Sequence, residues 1–91
     1  MSPIKAEQLE GKRTPITRAA LELAVANSVR GSDPQCEGLI GIVVERVVPG
    51  SPGEANWIVK GIKYGNAQRD RCSTVISNCV EEAQREFMVL D

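Results

Sequence analysis

Ninety-one residues with 11 basic and 12 acidic side chains, a formal net charge of −1 and 42% apolar residues leave room for one core and not two, in an ordinary globular composition. The near-neutral balance supplies no global field toward nucleic acid or an anionic membrane, and no apolar run approaches the roughly 20 residues of a membrane span. Histidine is absent, which removes Ser-His and Cys-His nucleophiles and His-ligated metals.

Residues 1–13 are mostly polar and read as a flexible or partly helical segment, with Ser2-Pro3 and Gly11 bracketing one or two helical turns from Pro3 to Glu10. No apolar secretory segment appears among them, so the cytoplasm is the expected location. Residues 14–91 read as a single α+β domain in the order α-β-β-α. Thr14 as N-cap, Pro15 at the first helical position and Gly31 as the stop predict a first helix from Pro15 to Arg30. Its apolar positions, from Ile16 through Ala19, Leu21, Val25 and Val29, leave only a narrow polar strip around Arg18 and Glu22, so the helix is expected to be largely buried.

Leu39 to Val48 is rich in β-branched residues and predicts a strand. Alternation puts Ile40, Ile42, Val44 and Val48 on one face, and Leu39, Val43 and Val47 on the other. The stretch 49–55, with two prolines and two glycines, predicts the loop of a hairpin whose second strand runs from Asn56 to Tyr64. There Trp57, Val59, Gly61 and Lys63 share one face, and Ile58, Lys60, Ile62 and Tyr64 the other. Gly65-Asn66 breaks the strand, with Asn66 as N-cap. Apolar spacing of Cys72, Val75, Ile76, Cys79, Val80, Ala83 and Phe87 then predicts a second helix from Ala67 to Met88. The expected fold is a two-stranded antiparallel hairpin flanked by two helices, its sheet extended or covered by a symmetry mate.

Three cysteines, an odd number without an export signal, point to reduced thiols. Cys72 and Cys79 lie on the apolar stripe of the second helix, about 10 Å apart at 1.5 Å per residue, too far to bridge each other. Cys36 falls in a polar loop and is expected to be the exposed thiol. Without a C-x-x-C pair or an Asp-rich loop, no metal and no cofactor is expected, and no catalytic residue is assigned. Catalysis is the least supported reading of the chain.

Two surfaces remain. Lys60, Lys63, Asn66, Arg69 and Arg71 surround the start of the second helix, with four bases against Asp70 for a local net charge of +3. That stretch is a candidate for binding a phosphate-bearing ligand or nucleic acid, although it carries no phosphate-loop motif and reads more readily as an ordinary solvated basic face. The other surface is a dimer interface. Leu39, Val43, Val47, Trp57 and Val59 would form a second apolar face of the hairpin, beyond what two helices can cover. Arg69 and Arg71 near the start of the second helix, with Glu82 and Glu86 near its end, oppose the helix dipole and would be matched by an antiparallel symmetry mate. The function expected is therefore a small self-associating or partner-binding module without catalytic activity, a homodimer that also admits a second protein as partner. Weak nucleic-acid or phosphate binding is the alternative.

Overall fold

A computed structural model describes residues 13–91; the short helix expected from Pro3 to Glu10 lies outside the described residues. Strand β1 (Thr14–Ile16) is followed by helix α1 (Arg18–Ser32), a 3-10 turn (Pro34–Cys36), strands β2 (Gly41–Arg46) and β3 (Trp57–Lys63), helix α2 (Arg69–Glu86) and strand β4 (Phe87–Val89). The result is a small α+β fold with two helices and two two-stranded sheets. The α-β-β-α order holds for α1-β2-β3-α2, and the antiparallel hairpin is β2–β3. The second sheet is a correction to the expected architecture: β1 and β4 pair in parallel, Thr14 opposite Phe87 and Ile16 opposite Val89.

The first helix begins three residues later than expected because Thr17, not Thr14, is its cap. Thr17 is extended at φ −71° and ψ 155°, and its hydroxyl accepts from Ala20 N–H at 3.2 Å. Thr-Pro reads locally as a helix start, but β4 offers Thr14–Ile16 a strand partner, and tertiary pairing overrides the local signal. At the far end the same pairing ends α2. Phe87 turns extended at φ −124° and ψ 148°, although the apolar spacing runs through it. The Leu90 N–H then donates to Ile16 C=O at 2.8 Å, carrying the ladder past the strand. Because Ile16 faces β4, Pro15 turns its missing N–H to the open edge of this sheet, where no further strand can pair in full.

The hairpin departs from simple alternation at one point. Val43 pairs with Gly61 but Val44 pairs with Val59, so Lys60 is an extra residue, a bulge. Beyond it the faces of β3 exchange. Ile42 opposite Ile62 and Val44 opposite Val59 share the inner face, whereas Gly41–Lys63, Val43–Gly61 and Glu45–Ile58 line the outer one. Alternation had separated Ile62 from Val59; the bulge brings both onto the core. Leu39 and Ile40 precede the strand and escape its alternation, so Leu39 is buried and Ile40 is exposed, the reverse of the expected assignment.

Helix α1 packs on β2 with one side and on α2 with the other. It contributes Leu21, Val25, Ala26 and Val29 to the core, which they share with Ile42, Val44, Trp57, Ile76 and Ala83. Leu23 stays exposed on the remaining side. Trp57, the largest of these residues, is fully buried and its indole N–H donates to Phe87 C=O at 3.2 Å, tying hairpin to β4. Side chains of α1 occupy backbone groups at β2: Glu22 accepts from Val44 N–H at 2.7 Å, and Arg30 donates to the Leu39 and Ile40 carbonyls, both at 2.8 Å.

The cysteine reading is also corrected. Cys36 and Cys72 form a disulfide with Cα atoms 5.6 Å apart, and both are fully buried; Cys79 alone is a free thiol, also buried. Cys36 is buried because its polar loop folds under as a 3-10 turn, capped by Asp33 accepting from Gln35 N–H at 2.8 Å. Gln68 N–H donates to Gln35 C=O at 3.1 Å, which sets the first turn of α2 against that turn and brings Cys72 to Cys36.

Candidate functional site

The five basic-patch positions Lys60, Lys63, Asn66, Arg69 and Arg71 are all exposed. Lys60 is the bulge residue, Lys63 ends β3, and Asn66 lies in the turn that follows instead of capping α2. That turn needs Gly65, whose φ of +58° favours glycine. The cap position is Gln68, which makes no side-chain cap bond. The Arg69 guanidinium lies over the Tyr64 ring with its carbon 4.8 Å from the centroid, a cation–π contact that fixes where this charge sits.

The residues assigned to self-association divide into three groups. Leu39 and Trp57, at 3% and 0% exposure, belong to the chain's own core and have no surface left for a partner. Val59 packs against that core from the inner face. Val43 is half-buried on the outer face, and Val47 is half-buried just past β2. On α2, Arg69, Arg71, Glu82 and Glu86 are exposed, and the other exposed positions between them, such as Ser73, Thr74, Ser77 and Asn78, are polar too. No apolar stripe is left on the solvent side of α2 for a second helix.

A hollow that sequence reasoning missed lies elsewhere. The connection from β2 to β3 and the strand β4 enclose an open cleft of about 680 Å³ lined by Arg13, Arg46, Val47, Val48, Pro49, Glu54, Asn56 and Met88. Three side chains shape it. Arg13 donates to Gln84 C=O and, at 2.6 Å, to Gly53 C=O, holding the tip of the connection against α2. Glu54 accepts from Gly50 and Ser51 N–H at 2.7 and 3.2 Å, closing the connection on itself. Asn56 behaves as a short strand: its amide donates to Val89 C=O at 2.9 Å and accepts from Val89 N–H at 3.0 Å. The only sequence signal for this construction was the proline- and glycine-rich stretch 49–55; its walls come from three distant parts of the chain.

Among the described residues, no three of His, Cys, Asp and Glu converge as a metal-ligand set. No described helix is long and apolar enough to cross a membrane. Neither a family model, nor a curated protein, nor a solved structure matches the chain.

Proposed function

We propose that this chain is a non-catalytic binding module that pairs with a second copy of itself through the outer face of the β2–β3 hairpin. The observation that carries the reading is the distribution of charge and apolar surface on that face. Ile58 is 44% exposed and Val43 half-buried on that face, whereas Ile40, 64% exposed, lies past its Gly41 end. Glu45 stands at the Ile58 end and Lys63 at the Gly41 end. A two-fold axis across the strands lays each end over the opposite end of the mate, so Lys63 of one copy approaches Glu45 of the other while Val43 and Ile58 are covered by the mate. Two short strands offer much less than the roughly 800 Å² per partner of a standard interface, so the pairing is weak and shows at high concentration.

Sedimentation velocity from low micromolar to millimolar protein tests this. Wild type is expected to move toward twice the monomer mass, Ile58→Lys to stay monomeric, and Lys63→Glu to lose pairing that Glu45→Lys in the same chain restores. A monomer at millimolar concentration refutes the reading. Phosphate or nucleic-acid binding at Lys60, Lys63, Asn66, Arg69 and Arg71 is the competing reading; Lys63→Glu weakens both, and Ile58→Lys affects self-association alone. The buried disulfide favours an oxidising compartment over the cytoplasm expected earlier.

A further inference from the structure

We propose that the cleft between the β2–β3 connection and β4 binds a small amphiphilic anion, a medium-chain carboxylate in chemical class, with Arg46 as its countercharge. This proposal does not rest on the self-association reading, although Ile58 of that face lines a hollow adjoining the cleft.

The argument rests on how the polar groups of the wall are already employed. Arg13 is held by two carbonyls, Glu54 by two amide donors, and Asn56 by both backbone groups of Val89. Arg46, the last residue of β2, lines the same cleft, and its guanidinium makes no hydrogen bond to another described residue. With Arg13, Arg46 and Glu54, the formal charge of the wall is positive. The same cleft is lined by Val48 at 91% exposure and Met88 at 38%, together with Pro49. A guanidinium and aliphatic surface that no other described residue occupies match a ligand with a carboxylate head and an apolar tail: the fork of the guanidinium takes the two carboxylate oxygens, and the tail covers Val48 and Met88. A cleft of about 680 Å³ lies within the range that admits such a molecule. A purely inorganic anion would leave the aliphatic wall wet, and an apolar cation would meet the charge with the wrong sign.

Decanoate, held below its micelle range at pH 7 and low salt, is the probe, read on the methyl resonances of Val48 and Met88 in the full chain. Saturable shifts at both are expected, with acetate and decyltrimethylammonium each binding at least 10-fold more weakly. Arg46→Gln is expected to weaken decanoate about 10- to 100-fold. Val48→Glu, at a position too exposed to disturb folding, is expected to abolish binding. Equal binding of decyltrimethylammonium, or full affinity in Arg46→Gln, overturns the proposal. So does an absence of saturable shifts with millimolar decanoate. Shifts at Val48 and Met88 that follow protein concentration in place of decanoate would assign the cleft to a second copy and overturn it as well.

Discussion

Reducing the Cys36–Cys72 bond removes a constraint whose size follows from the chain length it closes. The two cysteines are 36 residues apart, and the loop-entropy relation gives about 13 cal/mol/K, or about 3.8 kcal/mol at 25 °C, for a loop of that length. A domain of this size is stable by about 5–15 kcal/mol, so the cross-link represents a quarter or more of the whole. Since about 4–8 °C of Tm accompanies each kcal/mol in a domain this small, reduction is expected to lower Tm by about 15–30 °C. Reduced wild type is a cleaner comparison than Cys36→Ser, which would place a hydroxyl at a fully buried position. The assay is a pair of urea melts with and without a phosphine reductant, accompanied by a thiol count on denatured, unreduced protein. One reactive thiol per chain, from Cys79, is expected. Three thiols in protein folded in air, or melts that agree within about 1 kcal/mol, would refute the assignment.

Two further substitutions probe backbone devices. A Cβ at Gly65, where φ is +58°, would lie 2.7 Å from both Gly38 O and Ile40 Cγ1, so Gly65→Ala is expected to cost about 2–4 kcal/mol in urea unfolding; Gly53→Ala, where nothing lies within 4 Å, is the milder control. Asn56→Ala leaves the Val89 N–H and C=O without their partners, an expected loss of about 2–4 kcal/mol, and hydrogen exchange at the Val89 amide is expected to accelerate with it.

What the sequence disclosed is what depends on near neighbours. The i, i+3, i+4 spacing located α2 and its buried Cys72, Ile76, Cys79 and Ala83, and the β-branched run located β2. What it concealed depends on distant residues. Thr14-Pro15 carries the same local signature whether a helix or an edge strand follows, and the partner that decides is Phe87–Val89, at the other end of the domain. Phe87 continues the apolar period of α2 yet belongs to β4, because the parallel pairing and the Trp57 indole bond hold it extended. The cysteine count was read through composition, and composition is blind to a turn that folds Cys36 under α2. The bulge at Lys60 altered which side chains of β3 face inward, and nothing in the residues themselves announced it. The basic patch was visible because its residues are close in sequence. The cleft was not, because Arg13, Arg46 and Met88 meet only once the fold is complete.

The parallel pair of β1 and β4 sets an order on folding. Thr14 and Phe87 are partners, so β1 is among the first described segments to leave a ribosome and must wait for nearly all the rest before it can pair. The hairpin and α1 have each other to pack against during that interval, whereas the ladder of β1 waits for β4. Until β4 arrives, the Trp57 indole also lacks its carbonyl acceptor and Asn56 lacks both bonds to Val89. One short strand therefore closes the β1 ladder on one side and secures the hairpin on the other.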